Sequence, residues 1–216
     1  MNDKERYIIR NEKAEDMLEV ENLTRKAFWN LYVPGCSEHY LVHTLRTHSD
    51  FIPELNFVIE EDNRIIGNVM YTKAKLVDEN GYEKEILTFG PLSILPGYQR
   101  TGYGKALLEH SFAKAREMSY DVIVIFGNPD NYVSRGFKSC KKFNICKTKD
   151  FYPAAMLVKE LTEGCLDGRR WHYIDSEAYH IDEQAVRQFD LNFEKMEKKY
   201  QPSQEEFYIH SHSKII

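Results

Sequence analysis

The sequence predicts an α/β fold of mixed α+β type: a central, mostly antiparallel mixed sheet with one βαβ unit, flanked by helices. Three observations predict it. Residues 56–95 read as an antiparallel meander whose strands are separated by turn residues at Asp62-Asn63 and Asn80-Gly81. Residues 102–119 then show helical spacing, with Gly104, Leu108, Phe112, Ala115 and Ser119 on one stripe, widened by Leu107, Ser111 and Met118. Residues 122–126, Val-Ile-Val-Ile-Phe, form an apolar run without polar alternation, which suits a strand buried on both faces.

The elements follow in chain order. Residues 7–10 form a short β-like run. Residues 14–29 carry Met17, Val20, Leu23, Ala27 and Phe28 at helical spacing. Pro34-Gly35 breaks the chain, and Ser37 is placed as the N-cap of a second helix with Leu41, Val42 and Leu45 on one face; Pro53 ends that region. The meander consists of runs at 56–60, 64–75 and 83–95. The last of these, the helix 102–119 and the run 122–126 make the βαβ unit, with parallel neighbouring strands and a right-handed crossover. Further strands are expected at 142–146 and 155–161. A helix is expected at 182–200, ended by Gln201-Pro202-Ser203. On this reading residues 1–166 are the main domain, and residues 167–216 are a helical C-terminal extension packed on it.

Composition narrows the function. A formal net charge of -5 argues against a nucleic-acid partner held by phosphate neutralisation, and it suits a cationic substrate better than an anionic one. The start, MNDKERYIIR, has no apolar segment of the secretory kind, and no run approaches the ~20 apolar residues that span a bilayer, so a cytoplasmic protein without membrane contact is expected. The four cysteines, Cys36, Cys140, Cys146 and Cys165, have no zinc-type spacing and read as reduced, mostly buried thiols. His210 and His212 supply two imidazoles, too few to close a metal site, so no metal is expected.

The chemistry-bearing stretch runs Leu92-Ser93-Ile94-Leu95-Pro96-Gly97-Tyr98-Gln99-Arg100-Thr101-Gly102-Tyr103-Gly104. A buried strand enters a short loop that opens a helix. The first N–H groups of a helix lack internal partners, the helix dipole adds positive potential there, and glycines let a phosphate approach the backbone. Arg100 and Lys105 add charge, which makes a diphosphate the natural ligand. The loop is neither a GxxxxGK[ST] phosphate loop nor a GxGxxG dinucleotide fingerprint, since residue 107 is Leu.

These residues resemble the signature of the GNAT superfamily of N-acetyltransferases: a strand ending V-x-P, then Gln or Arg, two residues, Gly, one residue, and Gly or Ala. Here Ile94-Leu95-Pro96, Gln99, Gly102 and Gly104 stand in register. Gly90-Pro91-Leu92-Ser93-Ile94 resembles the G-P-L-A-V stretch of one bacterial branch. Gly127-Asn128-Pro129-Asp130-Asn131-Tyr132 and Arg135-Gly136-Phe137 resemble that branch's G-D-P-x-Y-Y…F-G-F element. The resemblance covers roughly residues 7–166. Asn131 and Arg135 depart from the branch's usual residues, and both changes bear on the acceptor side.

The resemblance implies a GNAT-like fold and acetyl-CoA as co-substrate, attacked directly by a primary amine. It implies that backbone N–H groups of Gln99, Arg100, Thr101, Gly102, Tyr103, Gly104 and Lys105 hold the pyrophosphate. The Leu92 N–H would receive the acetyl carbonyl, and the Ile94 backbone would pair with the pantetheine arm. Asn128 would bond the pantetheine or pyrophosphate arm, and Tyr132 would protonate the departing thiolate. The general base is left open. Glu85, near the start of the signature strand with Glu83, is one candidate, whereas His43, His48 and His110 read as surface groups. Two function classes remain: an N-acetyltransferase acting on a small-molecule or peptide amine, and a non-catalytic acyl-CoA-binding sensor with the same fold. A homodimer through the late strands or the 182–200 helix is compatible with either.

Overall fold

The structure, a computed structural model, describes residues 7–216. It opens with β1 (Ile8–Asn11), α1 (Met17–Phe28) and α2 (Glu38–Leu45), and continues into the expected meander of β2 (Phe57–Glu61), β3 (Arg64–Asp78) and β4 (Glu83–Ile94). Asp62 and Asn63, both at positive φ, turn β2 into β3. At the β3–β4 turn, the Asp78 carboxylate accepts the N–H groups of Asn80 and Tyr82 around Gly81, whose φ is +81°.

The βαβ unit follows as β4, α3 (Tyr103–Glu117) and β5 (Val122–Phe126), with β4 and β5 parallel. Val122 to Ile125 are all buried, and they divide between two cores. Ile123 and Ile125 face the larger core with Leu107, Leu108 and Phe112 of α3. Val122 and Val124 face a second core with Trp171 and Tyr173. This division is the physical meaning of a strand sequence without polar alternation. A hydrogen bond of 2.7 Å between Tyr71 and Ser111 fastens α3 to β3. Truncating a side chain as buried as Phe112 to alanine costs about 3–5 kcal/mol.

After α4 (Pro129–Tyr132) come β6 (Lys138–Ser139), β7 (Ile145–Cys146), β8 (Met156–Glu160) and β9 (Trp171–Ile174), then α5 (Glu183–Asp190) and α6 (Pro202–His212). The strand order is β1-β2-β3-β4-β5-β8-β6, with β9 beside the end of β3 and β7 beside β9. Pairing is antiparallel except for β4–β5 and β7–β9.

The structure differs from the sequence expectations in three places. The expected strand at 142–146 shrinks to two residues behind a 3-10 turn, Cys140–Phe143. The expected helix 182–200 stops at Asp190, although Phe189, Phe193, Met196 and Tyr200 keep helical spacing beyond it. Residues 191–200 are held instead by backbone carbonyls: Glu194 accepts from Arg25, and Glu197 accepts from Trp29 and Asn30. Pro202 does not end a helix but begins one, at the first-turn position where proline's missing N–H costs nothing. Cys36, Cys140 and Cys146 are buried, Cys165 is half-buried, and all four are free thiols. No helix among the described residues is long and apolar enough to cross a membrane.

Candidate active site

β4 and β5 are ladder neighbours at one register only, Leu87 opposite Ile123. Beyond it β4 runs on to Ile94 unpaired on that edge, and β5 turns its other edge to β8. On the β3 side, the ladder slips between Val69 and Tyr71, so Gly90 and Pro91 oppose a single residue. A proline that lacks the ladder donor sits at such a bulge without penalty. The opened edge of β4 forms one wall of a cleft of about 630 Å³.

Backbone direction along β4 follows from one hydrogen bond. The Leu95 N–H donates to Ile66 of β3 at 2.9 Å. N–H groups alternate sides along a strand, so Ser93 also points to β3, whereas Leu92 and Ile94 point the other way, into the gap. The Ile94 carbonyl, on that same side, accepts Gln99 Nε2 at 2.9 Å, which ties the loop back to the strand.

The floor of the cleft is the loop 96–102 and the first turn of α3. Gly102 caps α3 at φ +104° with open space where a side chain would stand. No side chain caps this helix, and among the described residues no acceptor takes the N–H groups of Gly102, Gly104 or Lys105. Gly102 and Gly104 both line the cleft, as do Arg100 and Lys105. Unsatisfied donors, a helix dipole and two cations on one concave surface fit a diphosphate.

Tyr132 closes the other side. Asn128 begins α4 by accepting the Asp130 N–H on its side chain at 3.0 Å. The Tyr132 ring then packs against Phe89 and Phe137 at centroid distances of 5.8 and 5.7 Å. Gly127 permits this placement, since a Cβ there would lie 2.6 Å from the ring. Burial, reinforced by the neighbouring Tyr32, pushes the Tyr132 phenol well above its ordinary value, so it holds its proton at neutral pH.

The facing wall comes from α1 and α2. Buried hydrogen bonds from Thr24 to Asn68 (3.2 Å) and between Thr24 and Ser93 (3.1 Å) seat α1 on β3 and β4. Phe28, Leu31, Tyr32, Glu38 and Leu41 thereby face the signature loop across the cleft. α6 supports this wall, with the Phe207 ring 4.6 Å from that of Tyr32.

Of the residues singled out by sequence, Leu92, Ile94, Gln99, Arg100, Gly102, Gly104, Lys105 and Tyr132 meet in this one cleft. The others stand elsewhere. The Tyr103 ring is buried beneath the loop, and its hydroxyl donates to Glu61. The Thr101 hydroxyl donates to the Tyr98 carbonyl. Asn128 has its side-chain oxygen occupied as a cap. Glu85 lies seven residues before Leu92, about 23 Å along the strand. It accepts from Tyr120 at 3.2 Å and pairs with Lys73 at 3.4 Å, outside the cleft lining. Glu38, not among the site residues singled out by sequence, is the carboxylate that α2 presents to the cleft. No local motif marks it, because its position depends on how α2 packs.

A family model described as the acetyltransferase (GNAT) family matches residues 25–139. Among solved structures, the chain is similar to the GNAT family N-acetyltransferase YhbS of Escherichia coli in complex with CoA. Identity is 22%, the TM-score is 0.70, and the match covers 83% of this chain and 94% of that one. It is also similar to a GNAT family acetyltransferase of Brucella melitensis in complex with acetyl-CoA, at 23% identity and TM-score 0.62, covering 81% of this chain and 98% of that one. A third likeness, to an acetyltransferase of the GNAT family from Staphylococcus aureus Mu50, has 12% identity and TM-score 0.54, covering 72% and 99%. At these identities the likeness is one of fold. Comparison of the sequence with curated proteins finds no match.

Proposed function

This chain belongs to the acetyltransferase (GNAT) family, and we propose that it moves the acetyl group of acetyl-CoA directly to a primary amine. One observation carries the reading. The uncapped N–H groups at the start of α3, the gap-facing N–H of Leu92 and the protonated Tyr132 all address one cleft. The CoA and acetyl-CoA bound by two proteins of the same fold support the same co-substrate here.

The chain's residues divide the work. The first turn of α3, with Arg100 and Lys105, holds the pyrophosphate and so aims the thioester along β4. Holding both reactants in one geometry is the main source of rate. The Leu92 N–H receives the carbonyl oxygen as negative charge builds on it, a contact worth about 3 kcal/mol in other acyl-transfer sites. The Tyr132 hydroxyl protonates the leaving sulfur. Asn128 positions that hydroxyl by capping α4.

Thiol release from acetyl-CoA, read with DTNB over a panel of small and peptide amines, tests this. Turnover on at least one amine is expected, with kcat falling about 10²- to 10⁴-fold in Tyr132→Phe. CoA binding without thiol release on any amine would make the protein a binding module instead.

A further inference from the structure

The acceptor side of the cleft holds a carboxylate with no cationic partner. Glu38 is the first residue of α2, and its Oε2 accepts the Ser37 N–H at 3.0 Å. None of the ion pairs among the described residues involves it, although 34 acidic and 29 basic residues make partners plentiful. Around it the wall is apolar: Ala27, Phe28, Leu31 and Leu41, with the ring of Tyr32.

Resting on the acetyltransferase reading, we propose that Glu38 is the catalytic base and acceptor anchor, which receives the substrate's ammonium and removes its proton. The same geometry assigns the acceptor class: a monoamine on an apolar or aromatic stem. The carboxylate matches one ammonium. The cleft's other carboxylate, Asp130, belongs to α4 on the Tyr132 side, so a polycation held at Glu38 would lay its nearer charges on apolar side chains and its farther ones among Arg100, Lys105 and Arg135.

The step balances. Glu38 takes one proton from the ammonium, which frees the nitrogen lone pair. The C–N bond forms as the C–S bond breaks. Sulfur takes the Tyr132 proton, and nitrogen returns its surplus proton to Tyr132. The proton on Glu38 then passes to water.

Groups facing Glu38 suit this role. Tyr32 and Cys36 are its titratable neighbours, and both are held neutral, the phenol and the thiol each pushed up to about 12, chiefly by burial. Across the cleft stand Tyr132, Asp130, Arg135, Arg100 and Lys105. Burial raises the Glu38 carboxyl itself, with backbone N–H bonds opposing the shift, so it is a better proton acceptor than an exposed glutamate.

The test compares Glu38→Gln with wild type across a pH series, with hexylamine, benzylamine and spermidine as acceptors. Glu38→Gln should lower kcat/KM about 10²- to 10⁴-fold at pH 7, leave CoA affinity and Tm unchanged, and lose the acid limb of the wild-type pH profile. Its activity should recover as pH approaches the amine's own value near ~10. Wild type should favour hexylamine and benzylamine over spermidine at least tenfold. A Glu38→Gln variant with wild-type rate and pH profile overturns the base assignment, and a preference for spermidine overturns the acceptor class. In either case Tyr132→Phe still reports on the acetyltransferase reading. Wild-type protein silent on every amine overturns both.

Discussion

Gly127→Ala is a small change with a large expected consequence. The new Cβ would stand 2.6 Å from Tyr132 Cε2, 3.1 Å from Cδ2 and 3.5 Å from Cζ. Ordinary carbon contacts lie near 3.5–4.0 Å, so the ring must retreat by about 1 Å. Phe89 and Phe137 pack against that ring, which leaves it little room except to swing its hydroxyl away from the gap beside β4. A displacement of about 1 Å in a group that must meet the leaving sulfur costs about 10²-fold in rate. The helix α3 end of the cleft is untouched, so CoA affinity should stay within about twofold. Thiol release measured at saturating acetyl-CoA with the best amine, alongside calorimetry with CoA, separates the two effects. A Gly127→Ala enzyme that keeps wild-type kcat would refute the placement of Tyr132 at the leaving group.

Two further outcomes concern the wall that faces the loop. His39 is fully buried, and burial pushes its imidazole down to about 4, with Arg25 helping and Asp190 opposing. Its unfolded value is about 6.5, so stability is full above that pH and falls by about 3 kcal/mol between about 6.5 and 4. Thermal melts over that window should show the loss, and His39→Gln should flatten it; an equal slope in both proteins contradicts the assignment. Asn30 is 2% exposed at φ +61°, bonds the Gly35 and Lys199 N–H groups, and donates to the Glu197 carbonyl. Asn30→Ala should cost about 2–4 kcal/mol and speed tryptic cleavage at Lys195, Lys198 and Lys199. Unchanged stability and cleavage would mean that the C-terminal segment is held by other contacts.

Much of this architecture is legible in the sequence because its signals are local. Turn residues at 62–63 and 80–81 set the meander, and the 3.6-residue stripe from Gly104 to Ala115 sets α3. The Gln99-Gly102-Gly104 spacing needs no tertiary knowledge to suggest a phosphate site. What the sequence hides depends on distant packing. Trp171 and Tyr173 alternate with more exposed neighbours, a faint strand signal that becomes β9 only because the end of β3 offers a free edge. Pro202 followed by Ser-Gln-Glu-Glu carries the marks of a helix start, yet a proline after a charged run reads as an ending just as easily. Glu38 has no motif at all. It becomes notable only once α1 and α2 are seated across β3 and β4 by Thr24, Asn68 and Ser93.

Every role assigned in the cleft depends on the proposed grip of the amides at the opening of α3 on the pyrophosphate of CoA. Titration calorimetry of CoA into wild-type protein and into Gly104→Val probes that grip. A Cβ at position 104 meets Ile94 at 3.7 Å, an ordinary contact, so the variant should fold while its methyl groups occupy the phosphate's approach. The expected result is one-site binding to wild type, weakened at least tenfold in Gly104→Val with Tm unchanged. No heat from wild type at millimolar CoA, or equal affinity in both proteins, would mean that these amides do not hold the pyrophosphate.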